Sequence, residues 1–135
     1  MNKKQVREYA KRKLKEFERW QRIAQDDSIR YSDEYILQAE RGEFQPVERL
    51  EINRETARQE LNAIKSAINS ISDIRLRQIL ISNYLERKTV EQVRQTIKSK
   101  YQPYEAIKKS QYNNLKNTAL LAFAKQYRNG ILETL

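Results

Sequence analysis

The chain has 135 residues, net charge +9, 39% hydrophobic and 33% charged side chains, and only two glycines and two prolines, a balance that suits amphipathic helices and starves sheet hairpins of turn residues. It holds neither cysteine nor histidine, which excludes disulfides, cysteine–histidine zinc sites, thiol nucleophiles and imidazole bases. The fold class these numbers predict is all-α, in one small body with a helical arm.

The opening, MNKKQVREYAKRK, lacks the apolar centre of a signal peptide, and no run reaches the length of a bilayer-spanning helix, so a cytoplasmic protein with no membrane partner is expected. Lys3 to Ala24 places Val6, Tyr9, Ala10, Leu14, Phe17, Trp20 and Ala24 on one stripe and Lys4, Arg7, Lys11, Lys15, Arg19 and Arg22 opposite, the pattern of a long basic amphipathic helix over residues 1–25. Its apolar face is rich in aromatics and poor in leucine, which points to packing on the chain itself or on a second copy rather than on lipid.

Residues 26–52 read as an acidic connector, with a short helix over Asp33 to Arg41. Asp26, Asp27, Asp33 and Glu34 offer oxygen ligands of the kind magnesium takes, but a solvated acidic stretch is the favoured reading, and no metal or cofactor is expected. The helical domain then spans 53–135. Asn53 is a candidate cap for a helix that carries Leu61, Ile64, Ile68 and Ile71 to a break at Ser72-Asp73. A further helix places Ile74, Leu76, Ile79, Leu80, Tyr84 and Leu85 inward.

Thr89 followed by Gln92 forms a capping box, so a helix starts there, buries Val90, Val93 and Ile97, and ends near Lys100 ahead of Pro103. A short helical turn over Pro103 to Lys109 is expected, with proline at its first position. The last helix starts at Ser110, as its cap, and runs to about Arg128 with Gly130 as its stop. On a wheel of about 100° per residue, Tyr112, Leu115, Ala119, Leu120, Phe123 and Tyr127 share one side. Gln111, Asn114, Asn117 and Thr118 lie on the other, with Asn113 at the border.

Charge is unevenly spread. Residues 1–25 hold nine basic and three acidic side chains, 26–57 hold four and nine, and 88–128 hold nine and two. Basic clusters of this kind are the footprint of a polyanion, although solubility or an acidic protein partner produces the same pattern. Asparagine and glutamine pair bidentately with adenine in the major groove, and lysine reaches guanine or phosphate. A helix-turn-helix at about 89–128 divides that labour, with cations on the helix that crosses the backbone and amides on the helix that enters the groove. The candidate DNA-binding set is therefore Thr89, Arg94, Lys98, Lys100, Lys108, Lys109, Ser110, Gln111, Asn113, Asn114, Lys116, Asn117 and Thr118.

The run from about Arg75 to Leu132, through ILISNYLERK, TVEQV and SQYNNLKNTALLAFAKQYRNGIL, resembles the ArpU-type phage transcriptional regulators, which are similar to the DNA-reading region four of bacterial sigma factors. Ser110, Tyr112, Leu115, Lys116, Ala119-Leu120, Phe123-Ala124 and Tyr127-Arg128 carry the likeness, and KRKLKEFERWQRIA looks like that family's opening. The resemblance implies a cytosolic, non-enzymatic regulator of phage or prophage late genes for packaging or lysis, acting on double-stranded DNA. About twenty residues separate Thr89 from Ser110, roughly twice what a compact helix-turn-helix uses, so KSKYQPYEAIKK is extra. Either the Thr89 helix positions the reader across an enlarged turn, or a helix after Pro103 takes its place.

Two readings compete with a transcription regulator. A phage small terminase subunit would share the basic character but needs a ring, and no sustained heptad tract is present to build one. A helical adaptor for RNA polymerase would use the acidic middle and the basic first helix. A homodimer, implying paired half-sites, is compatible with the aromatic stripe of the first helix. An enzyme is remote, for want of a nucleophile–base pair or a phosphate loop.

Overall fold

The computed structural model describes residues 2–25 and 46–135, with side chains for 2–24 and 53–135. The expected helix over Asp33 to Arg41 and the acidic group Asp26, Asp27, Asp33 and Glu34 lie outside these residues. All regular elements described are helical: α1 (Lys3–Lys15), α2 (Phe17–Gln25), α3 (Pro46–Asn69), α4 (Ile74–Leu80) with a π-helical turn over Ile81–Leu85, α5 (Val90–Tyr101) and α6 (Lys109–Gln126), followed by a tight tail over Tyr127–Glu133. No helix among them is long and apolar enough to cross a membrane. The chain divides into two units, one of residues 1–17 and 63–135 and one of residues 18–62.

The first unit contains the candidate site. Its opening is fixed by a capping box that the basic run conceals: the Asn2 side chain accepts from the Gln5 amide (2.9 Å), and the Gln5 side chain accepts from the Asn2 amide (3.2 Å). The single long helix expected from Lys3 to Ala24 is in fact two. The Glu16 amide tightens onto the Lys13 carbonyl (3.1 Å), an i to i−3 bond that ends α1. Phe17, buried, opens α2.

Asn53 is not a cap. The helix begins seven residues earlier, with Pro46 in its first turn, where the missing N–H costs nothing, and Asn53 is an exposed interior position. The break at Ser72-Asp73 stands, and Asp73 supplies the cap of α4 by accepting from the Arg75 amide (2.9 Å). That contact and the adjacent Arg75 guanidinium outweigh burial, which alone would raise it, and hold the Asp73 carboxyl below its ordinary value. Ile74, expected inward, is 48% exposed. After Leu80 the helix widens: the Glu86 amide reaches the Ile81 carbonyl (2.8 Å), and Ser82 is buried between Gln78 and Glu86. Arg87, at φ 55°, turns the chain out of the helix.

The core of this unit joins Val6, Ala10 and Leu14 of α1, Leu76, Ile79 and Leu80 of α4, Tyr84, and Ala119, Leu120, Phe123 and Ala124 of α6. Both α1 and α4 pack on α6, and α5 packs on α4. A second group, Ile79, Val93, Ile97, Ile107 and Tyr112 with Leu115 beside it, ties α5 and the loop before α6 to the first turns of α6. Fully burying a side chain such as Phe123 contributes about 1.5–3 kcal/mol. The last helix is therefore held from several directions along its apolar side.

That helix ends at Gln126, two residues before the expected end, and Phe123 and Tyr127 stack with ring centroids 5.6 Å apart. Arg128, Asn129 and Gly130 follow in left-handed conformation at φ 44°, 59° and 82°. The third of these is why a glycine stands at 130. The reversal returns Leu132 to a buried position.

Candidate nucleic-acid interface

The expected capping box of α5 is present: the Thr89 hydroxyl accepts from the Gln92 amide (3.2 Å) and the Gln92 side chain from the Thr89 amide (2.9 Å). Val93 and Ile97 are buried as expected, and the helix ends at Tyr101. The short helix over Pro103 to Lys109 is absent. Gln102, the residue before the proline, leaves the helical region at φ −138° and ψ 61°, and the Glu105 amide closes a β-turn on the Gln102 carbonyl (3.2 Å) with Pro103 at the second position. The extra residues thus form an enlarged turn. Tyr104 is fully exposed at its crest, while Ile107 is buried.

One side chain fixes this turn. Arg94 donates Nε (2.9 Å) and Nη2 (2.6 Å) to the Ile107 carbonyl, and Nη1 to the Glu91 carboxylate (2.9 Å). Each of the three guanidinium nitrogens donates within this group, so Arg94 serves as a clamp on the loop. Lys98 lies beside it, half-buried, in a recess of about 120 Å³ lined by Glu91, Arg94, Gln95, Lys98, Ala106 and Ile107. Lys100 is exposed, with Nζ 3.5 Å from the Gln78 side-chain oxygen, which also accepts from the Tyr101 hydroxyl (3.2 Å).

Ser110 does not cap α6. The helix starts at Lys109, Lys108 occupies the cap position without a side-chain bond, and the Lys108 carbonyl accepts from the Tyr112 amide (2.9 Å). Ser110 is thereby drawn into the first turn, exposed. Lys108, Lys109, Gln111, Asn113, Asn114, Asn117 and Thr118 are exposed as well, and the Thr118 hydroxyl folds back to the Asn114 carbonyl (3.0 Å). The buried side of the same turns is aligned by a bond that the sequence pattern does not reveal: Asn83 donates to the Tyr112 hydroxyl across 2.8 Å. Burial nevertheless raises the Tyr112 hydroxyl above its ordinary value.

Lys116 departs from this surface. It is half-buried, with its ammonium 5.4 Å from the centroid of the Tyr84 ring. Loss of water, and then the charges of Lys11 and Lys15, hold it below the ordinary lysine value. Its wheel position, between Tyr112 and Leu120, already marks it as inward. The outward surface of the leading turns of α6 therefore consists of Lys109, Ser110, Gln111, Asn113, Asn114, Asn117 and Thr118.

The chain is 32% identical over 127 residues to a Streptococcus phage O1205 protein named as an autolysin regulatory protein, ArpU, with 90% of the chain and 86% of the relative covered. The chain belongs to the ArpU family. No protein-family model and no solved structure matches it. The shared span takes in nearly the whole chain, so the likeness between this chain and its ArpU relative is not confined to α5 and α6.

Proposed function

We propose that this ArpU-family chain is a DNA-binding transcription regulator of phage late genes that reads duplex DNA with α6. The observation that carries this reading is the arrangement of α6 itself: Gln111, Asn113, Asn114 and Asn117 are exposed on the first turns of a helix whose later turns bury Ala119, Leu120, Phe123 and Ala124. Amides set on a rigid support make bidentate contacts to adenine, each worth about 1–3 kcal/mol of discrimination. Exposed Lys108 and Lys109 stand at the start of the helix, and half-buried Lys98 lies on α5, where backbone phosphates flank a helix in the groove. In this arrangement α5 and α6 act as a helix-turn-helix with an enlarged turn. The streptococcal phage relative, named for regulation of autolysin, supports a regulatory role and a phage setting.

The test is selection of fragments from the producing genome, followed by affinity measurements on selected and random duplexes. Asn114→Ala and Gln111→Ala should erode the preference for the selected fragment, whereas Lys98→Ala and Lys109→Ala should weaken both duplexes alike. If the amide and lysine variants act identically on the two duplexes, α6 is not the reader.

A further inference from the structure

A groove of about 480 Å³ lies where the first turns of α1 and the tail flank the later turns of α6. Lys3 and Val6 line it from α1, Thr118, Leu121 and Lys125 from α6, and Glu133 from the tail. Its floor is apolar, with Val6 buried and Leu121 half-buried, and its charged groups are exposed. Among the described residues neither Lys3 nor Lys125 forms an ion pair, with Glu133 or with another carboxylate, whereas Lys13, Arg75, Lys88 and Arg94 each do. Two cations from different elements thus border one groove and remain open to an external anion.

The direction in which the groove faces indicates which anion. At about 100° per residue, Leu121 and Lys125 each fall about 20° from Asn114 around α6, and Thr118 about 40°. The α6 side of the groove therefore continues the face that carries the exposed amides, while Phe123 points the opposite way into the core. Lys125 stands about 16 Å beyond Asn114 along the axis, at about 1.5 Å per residue. A major groove is about 12 Å wide. A helix that offers its N-terminal turns to the bases has left the groove by that point, and the same face there meets sugar and phosphate. The geometry points to a backbone-binding site, in which Lys3 and Lys125 hold a phosphate of the duplex that α6 enters and the deoxyribose rests on Val6 and Leu121. This inference rests on the reading of α6 proposed above. It brings the first turn of α1 into the footprint, with the Glu133 carboxylate opposing the phosphate.

The experiment measures affinity of the full chain for selected and random duplexes across a salt series, for wild type, K3Q/K125Q and E133Q. All three altered side chains are exposed, and circular dichroism checks that each variant folds as wild type does. In K3Q/K125Q, losing one neutralised phosphate should reduce the steepness of log affinity against log salt by about 0.9 and weaken both duplexes by the same factor. E133Q should strengthen both duplexes alike, since it removes a carboxylate that repels the phosphate. An unchanged slope in K3Q/K125Q, while wild type binds and Asn114→Ala erodes its preference, overturns the backbone site and leaves the α6 reading standing; the groove then fits an acidic protein segment instead. A loss confined to the selected duplex also overturns the site, because a backbone contact carries no sequence preference. Wild type that retains neither duplex removes the α6 reading and the groove site together.

Discussion

Arg94→Ala removes the clamp between α5 and the loop that leads into α6. The side chain is 24% exposed and directs two donors at the Ile107 carbonyl, 2.9 and 2.6 Å away. A hydrogen bond to a charged group contributes about 1.5–3 kcal/mol, and two donors sharing one acceptor contribute less than twice that. The exposed Glu91 pair adds little. The expected loss is therefore about 2–3 kcal/mol, read as a lower midpoint of urea unfolding with unchanged slope. Arg94→Lys should recover part of it, since an ammonium reaches the carbonyl with one donor where the guanidinium uses two. A phosphate contact at Arg94 predicts the opposite pattern: stability unchanged, and a shallower salt dependence of DNA binding. A midpoint equal to wild type in Arg94→Ala would refute the clamp.

Phe123→Ala should destabilise by about 3–5 kcal/mol in the same assay, because the side chain is fully buried where α1 and α4 meet α6. Thr89→Ala removes the cap of α5 and should cost about 1 kcal/mol. Gly130→Ala places a side chain at φ +82°, with its Cβ 3.1 Å from the Glu133 carboxylate oxygen. The carboxylate swings away, the backbone strain stays, and a loss of about 1–2 kcal/mol in thermal unfolding is expected. Burial pushes the Tyr84 hydroxyl up to about 12 from 10.0, so the unfolded chain gives up this proton first as pH rises. Stability is accordingly full below pH 10 and declines by about 2–3 kcal/mol toward pH 12. Tyr84→Phe should abolish that decline, and at neutral pH it should leave stability equal or higher, since the buried hydroxyl has no hydrogen-bond partner among the described residues.

Some local signals carried through from sequence to structure, while the Asn53 and Ser110 caps and the turn after Pro103 did not, and the non-local contacts left no signal at all. The Thr89–Gln92 box spans four residues and forms as expected, as does the division of α6 into exposed amides and buried Phe123, which follows from helical period alone. Ser110 has the chemistry of a cap, but the Lys108 carbonyl takes the Tyr112 amide and starts the helix sooner. The Arg94 clamp closes on a carbonyl thirteen residues away, and Asn83 meets Tyr112 across twenty-nine. Neither pair follows from a helical or turn spacing. Lys116 is different, since its inward position was legible from the wheel while its charge argued for the surface. The π-helical turn after Leu80 and the break at Glu16 leave no mark in residue type.

Positions 111, 113, 114 and 117 of α6 are exposed, whereas 112, 119, 120 and 123 are buried. The two sets interleave along one rod without sharing a residue. The outward set is therefore free to diversify: a library randomised at those four sites should fold as the parent does, so the surface of these turns can change without rebuilding the body beneath.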